Sequence, residues 1–170
     1  LSKRRDKVAL EQYRDEGYLA DAMVNYLMTL GWSPGEQEIQ PWSAMEQKFR
    51  LEDVNLSPAF FDLKKLTAFN GEYIRKLSVD ELYEACQPWL PDEWGPEPFR
   101  SMVPFVQERL KTLADAPGTV DFLYADEPEV DQASWDKTMS TEYAKPLLAD
   151  AITAYEMADW AHATLKSTLE

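Results

Sequence analysis

Apolar residues recur along this chain at helical spacing. Leu19, Met23, Tyr26, Leu27 and Leu30 share one face, and Gly31 follows as a helix stop. Residues 30–35 then read as a turn, where Pro34 and Gly35 break the pattern. Ser43 with Glu46, and Ser78 with Glu81, have capping-box spacing. In a capping box the serine accepts from the third helical amide and the glutamate reaches back to the serine's own amide. Each pair predicts a short helix, near 43–50 and 78–87. Residues 62–66 resume the helical pattern after the Ser57-Pro58 break. Asn70-Gly71 reads as a turn between two short helices, with Gly71 supplying positive φ. A strand could also lie near 50–55.

The second half opens on Pro88, Pro91, Pro96 and Pro98, which surround Trp89 and Trp94. Prolines this dense break helices and stiffen the backbone, so 89–98 is expected to be a linker or an ordered corner with buried tryptophans. A subdomain boundary is placed there. Beyond it Val103, Val106, Leu110 and Leu113 predict one amphipathic helix, ended by a Pro117-Gly118 turn. Residues 119–124 are apolar and fit helix or strand; 126–136 form an acidic loop or helix start. Leu147, Leu148, Ala151, Ile152 and Tyr155 mark a further helix face, and Asp159 caps a last segment running to Leu169. No repeat or low-complexity tract interrupts the chain. The expected architecture is mainly α with few or no strands: a helical subdomain over 1–88, the Pro/Trp-rich 89–98, and a helical bundle over 99–170.

At 170 residues, with 45% hydrophobic and 12% aromatic content, the chain can build one substantial core or two small ones. It has no signal-peptide pattern and no apolar run long enough to cross a bilayer, so the plain expectation is a cytoplasmic protein with no membrane partner. Cys86 is the single cysteine, which excludes an internal disulfide and a cysteine-based zinc site; it reads as apolar filling. His162 has no visible partner and reads as structural or exposed. Asp126, Glu127, Glu129 and Asp131 lack the glycine and terminal glutamate of a calcium loop, and no metal site is expected.

The net charge of −14 argues against general nucleic-acid affinity, DNA included, because phosphate binding needs clustered Lys and Arg. The bases are uneven, however. Lys3, Arg4, Arg5 and Lys7 crowd the start, whereas after Lys111 only Lys137, Lys145 and Lys166 remain. Any RNA contact must use a restricted basic strip, with acidic surface turned away. Composition by itself favours a solubilising acidic surface, and an acidic helical protein-interaction module without RNA binding is one reading of the chain.

A different reading comes from ordered motifs. Leu1-Ser2-Lys3-Arg4 resembles the back half of the Lys-x-Ser-Lys-Arg nucleotide loop of class I aminoacyl-tRNA synthetases. Tyr13 to Leu19, then Asn25-Tyr26-Leu27, Leu30-Gly31-Trp32, Ser57-Pro58-Ala59, Phe61-Asp62 with Lys65-Leu66, and Asn70-Gly71 with Tyr73-Ile74-Arg75 follow in order. Together they resemble the stem-contact segment of bacterial glutamyl-tRNA synthetases, departing at Thr67-Ala68-Phe69. Arg109-Leu110-Lys111-Thr112-Leu113 resembles that family's first anticodon-binding helical subdomain.

The resemblance implies an ATP-dependent, Mg-assisted ligase that activates glutamate and attaches it to glutamate tRNA. Lys3 would be its catalytic loop lysine, and Ser2 and Arg4 would join it in binding ATP. An ammonium there meets the charge that grows on the departing pyrophosphate. Lys65, Asn70, Arg75, Arg100, Arg109 and Lys111 would face tRNA. Arg109 is the best candidate to read a base, since a guanidinium can both hydrogen-bond and stack on one, while Arg100 and Lys111 suit phosphates. The competing expectation for Arg109 is an ion pair with Glu108 or Asp115. The catalytic nucleotide-binding domain is absent, so this piece is expected to be a monomer that holds no ATP and has no ligase activity alone. Another class I synthetase remains the second alternative.

Overall fold

A computed structural model describes residues 9–56, 58–127, 129–161, 164, 165 and 167. Ser2, Lys3, Arg4 and His162, along with parts of the segment after Asp159, lie outside them. Helix is the regular structure throughout the described residues, which contain no strand. The chain divides into two compact units between Asp126 and Glu127.

The first unit holds α1 (Leu10–Asp15), α2 (Ala20–Met28), α3 (Trp42–Lys48), α4 (Leu63–Lys76), α5 (Val79–Cys86), α6 (Pro96–Val106) and α7 (Ala116–Val120). Short 3₁₀ turns occupy Leu51–Asp53, Gln87–Trp89, Gln107–Arg109, Leu113–Asp115 and Asp121–Leu123. The possible strand near 50–55 is therefore a 3₁₀ turn with its flanks.

Helix α4 organises this unit. Asp62 caps it, its carboxylate accepting from the Lys64 and Lys65 amides at 2.8 and 3.2 Å. Its first half packs Leu66 and Phe69 with Tyr13, Met23 and Tyr26. Its second half sends Ile74 into a larger core with Leu82, Cys86, Phe99, Val103, Leu110 and Val120. One continuous helix thus serves two cores, and the expected Asn70-Gly71 turn does not exist. Asn70 is fully buried and hydrogen-bonds other segments, while Gly71 lacks positive φ. Gly71 instead allows a close approach: an added methyl would lie 3.3 Å from Arg75 Nη1 and 3.6 Å from the Leu110 carbonyl.

Positive φ occurs at Gly17, at +82°. It ends α1 in a Schellman arrangement, with the Tyr18 amide on the Tyr13 carbonyl (3.0 Å) and the Gly17 amide on the Arg14 carbonyl (2.9 Å). The rings of Tyr13 and Tyr18 meet edge to face across it, 5.6 Å apart.

The Ser78 capping box forms, but the Ser43 box does not. Pro41 takes the capping position and starts α3 at Trp42, which leaves Ser43 inside the first turn. The single helix expected from Val103 to Leu113 is also broken. It ends at Val106, tightens through Gln107–Arg109, and passes Leu110 in extended conformation. Pro117-Gly118 does not terminate a helix; Pro117 sits in the first turn of α7. Residues 119–123 are helical rather than strand, and Tyr124 follows as a turn.

The Pro/Trp-rich stretch lies within the first unit and is ordered. Trp94 stacks on Tyr124 at 4.1 Å, and the Tyr124 hydroxyl donates to the Gly95 carbonyl while accepting from the Phe99 amide. Trp89 Nε1 donates to the Asp15 carbonyl. Both tryptophans are half-buried.

In the second unit Asp131 caps α8 (Gln132–Met139), and α9 (Ala144–Met157) carries Leu147, Leu148, Ala151, Ile152 and Tyr155. The helix is the one expected, yet Leu147, Leu148 and Ile152 remain exposed on it.

Candidate nucleic-acid interface

The feature that singles out residues 107–111 is how their backbone is held. Gln107 projects back to α4, where its side-chain amide donates to the Ile74 carbonyl (2.9 Å) and the Leu77 carbonyl (2.8 Å). The Ile74 carbonyl also receives the Leu77 amide at 3.1 Å, so Gln107 reinforces the last turn of α4. Asn70 holds the far end of the segment: Nδ2 donates to the Lys111 carbonyl at 2.7 Å and the Gly17 carbonyl at 3.3 Å, and Oδ1 accepts from the Leu19 amide at 2.8 Å. Gly17 O also receives the Leu113 amide at 2.9 Å. Leu110, fully buried, anchors the middle.

Between these ties Glu108, Arg109 and Lys111 are exposed. Asp115 accepts from the backbone amides of Lys111 (3.1 Å) and Thr112 (2.8 Å), so its carboxylate is committed to the chain turn. Glu108 lies 3.9 Å from Arg75. The expected pairing of Arg109 with either carboxylate does not form. Among the described residues Arg109 and Lys111 make no ion pair.

The other cations from the sequence are placed differently. Arg75, half-buried, meets Glu72 at 2.5 Å and adjoins the 107–111 segment through Glu108. Lys65 pairs with Glu38 at 2.7 Å, its ammonium 5.5 Å from the centre of the Phe69 ring. Arg100 bonds Asp80 and lies 5.2 Å over the Tyr83 ring. Arg75 on α4 thus adjoins, through Glu108, the segment that carries Arg109 and Lys111, whereas Lys65 and Arg100 pair with carboxylates elsewhere. Solvent-exposed pairs of this kind contribute only about 0–1 kcal/mol. Asn70 must be removed from the RNA-facing set. Every polar group of its side chain is used internally, and none reaches the surface.

A buried polar cluster escaped the sequence reading. Asn25 donates to the Glu38 carbonyl at 2.8 Å and accepts from the Gln40 amide (3.1 Å) and the Tyr73 hydroxyl (2.9 Å). Lys48 donates to the Gln40 side chain at 2.7 Å. This cluster fixes the loop whose Glu38 takes Lys65; its one sequence signal was an asparagine among apolar neighbours on α2. Burial, and after it the negative Asp21, raises the Tyr73 phenol above its ordinary range. No group of three or more His, Cys, Asp or Glu among the described residues could hold a metal. No described helix is long and apolar enough to cross a membrane.

Residues 81–170 match the family model of an anticodon binding domain, and residues 1–68 that of the catalytic domain of class I tRNA synthetases (E and Q). The chain is 53% identical to a glutamate–tRNA ligase of Salinispora arenicola, over 100% of this chain and 39% of that protein. It is 49% identical to one of Thermobifida fusca, over 100% of this chain and 38% of that protein. A solved glutamate tRNA ligase from Elizabethkingia meningosepticum superposes with TM-score 0.77 at 24% identity, covering 92% of this chain and 32% of its own. A glutamate-tRNA synthetase from Elizabethkingia anophelis gives 0.74 at 25% identity, covering 92% and 31%. The chain therefore spans less than two-fifths of the length of these relatives.

Proposed function

Since the chain belongs to the anticodon binding domain family, we propose that it serves within a glutamate–tRNA ligase, where it grips glutamate tRNA and reads its anticodon. In this reading the whole protein activates glutamate with ATP and Mg, then transfers it to the tRNA, working as a monomer in the cytoplasm. Residues 1–88 contribute the end of the nucleotide loop and the stem contact. Residues 99–170 contribute anticodon binding, and 89–98 join the two. Lys3, with Ser2 and Arg4, serves the nucleotide by resemblance. Arg109 reads a base, and Arg75 and Lys111 take phosphates beside it.

One observation carries this reading: Arg109 is exposed and makes no ion pair among the described residues, on a backbone tied at both sides to α4. In a chain with 31 acidic against 17 basic residues, an arginine left unpaired beside two carboxylates is available to a ligand. Lys65 and Arg100 add phosphate contacts after exchanging Glu38 and Asp80 for phosphate.

The test is tRNA binding measured by fluorescence anisotropy across a salt series. Arg109→Ala should weaken binding by about 1–3 kcal/mol and erase the preference for the glutamate anticodon. Lys111→Ala should weaken all RNAs alike and reduce the salt slope by about one. Equal, salt-insensitive binding of wild type and both variants would instead favour the protein-interaction reading.

A further inference from the structure

We infer that Gln107 and Asn70 are positioning residues, which fix segment 107–111 in one geometry before any RNA arrives. The inference rests on the functional reading above for its ligand, and on geometry for the rest. Gln107 shares its 3₁₀ turn with Arg109, and its amide leaves that turn to donate twice to the end of α4, at 2.9 and 2.8 Å. The chemistry is specific. An amide nitrogen has two hydrogens for two acceptors, whereas a glutamate of the same shape would set a carboxylate against two carbonyl oxygens. Four residues on, buried Asn70 holds the Lys111 carbonyl at 2.7 Å.

Both ends of the segment are therefore tied to the same 14-residue helix, with Leu110 buried between them. The side chains of Arg109 and Lys111 take part in none of these ties. A group whose backbone is already fixed loses less freedom on binding. A guanidinium also recognises a partner through a planar fork, so a misaimed backbone forfeits the paired hydrogen bonds while keeping the charge. Positioning consequently acts on discrimination between RNAs more than on total grip.

The test uses the full chain with two RNAs: a glutamate tRNA transcript, and the same transcript with one anticodon base changed. Half-buried Gln107 is the position of choice, because a change at the buried Asn70 risks the fold itself. Gln107→Met keeps the length of the side chain and removes both donors. The ratio of the two affinities should fall at least about fivefold with little change in melting midpoint. That fall should vanish when Arg109→Ala is already present. Parallel losses for both RNAs, or an undiminished loss in the Arg109→Ala background, overturn the inference. A wild-type chain that fails to distinguish the RNAs sinks the functional reading instead. Positioning is then decided without RNA, by amide nitrogen relaxation. Residues 108–111 should be as ordered as α4 in the native chain and lose order in Gln107→Met; unchanged order overturns it.

Discussion

Gly17 offers a sharp test of how the first unit is held together. Its φ of +82° disfavours any residue with a Cβ, which costs about 1–2 kcal/mol. Crowding adds to this. A methyl at Gly17 would lie 2.5 Å from the Ala114 nitrogen and 2.6 Å from the Leu113 nitrogen, both backbone atoms that no rotamer change can move. Residues 113–114 must retreat, stretching the 2.9 Å bond from the Leu113 amide to the Gly17 carbonyl and the Asn70 link beside it. Two such bonds contribute about 0.5–1.5 kcal/mol each. Gly17→Ala should therefore cost about 2–5 kcal/mol, a large share of the roughly 5–15 kcal/mol that stabilises a typical domain.

Gly35 is the internal control. It also has positive φ, +111°, but nothing lies within 4 Å of a Cβ there, so Gly35→Ala should cost only the backbone strain of about 1–3 kcal/mol. Urea unfolding followed by far-UV circular dichroism separates the two. At about 2 kcal/mol per molar urea, Gly17→Ala should lower the midpoint by about 1–2.5 M. Gly17→Asn sharpens the test, because asparagine tolerates left-handed backbone but keeps its Cβ. It should recover only part of the strain and leave the crowding cost of about 1–3 kcal/mol. If asparagine restores stability, or if Gly17→Ala costs no more than Gly35→Ala, crowding against 113–114 is not what makes this glycine necessary.

Alongside the RNA-binding tests of Arg109 and Gln107, two further outcomes are expected. Glu81 accepts from the Ser78 amide and hydroxyl, both at 2.8 Å, and these bonds lower its carboxyl below the ordinary 4.5. Its contribution is therefore complete above that ordinary value and lost as pH falls through the lowered one, so wild type and Glu81→Gln should converge in stability in urea titrations carried into acid. A constant gap across that window would refute the assignment. Burial pushes the Cys86 thiol up to about 12, so iodoacetamide at mildly alkaline pH should label it only on unfolding; rapid labelling of the folded chain would contradict its place in the core.

The sequence made some elements plain and concealed others for physical reasons. Helix α2 follows from apolar spacing, and α5 from a serine and a glutamate three residues apart, because both signals are local. Ser43 misled because Pro41, with its fixed φ, caps the helix first. Leu110 and Leu113 kept helical spacing without a helix, since a buried side chain can be delivered from an extended or 3₁₀ backbone as well. Asn70-Gly71 carried the dipeptide signal of a turn, but the partners that make it a clip lie 41 to 53 residues away. The site shows the same limit. Arg109 could be picked from its motif, whereas the carboxylates that occupy Lys65 and Arg100 lie 27 and 20 residues off and emerge only on folding.

The clip at Asn70 also bears on the chemical durability of the Asn70-Gly71 pair. In a flexible chain, an asparagine followed by glycine is exposed to attack by the next backbone nitrogen, which expels ammonia and closes a succinimide ring that water opens to aspartate or isoaspartate. Within α4 the Gly71 nitrogen belongs to helical backbone, and the Asn70 amide is shielded from solvent. Folding thus protects the bond that is chemically most vulnerable. The protection is conditional: an aspartate formed while the chain is unfolded would turn its charge on the Gly17 and Lys111 carbonyls, and each unfolding exposes the molecule to damage it cannot reverse.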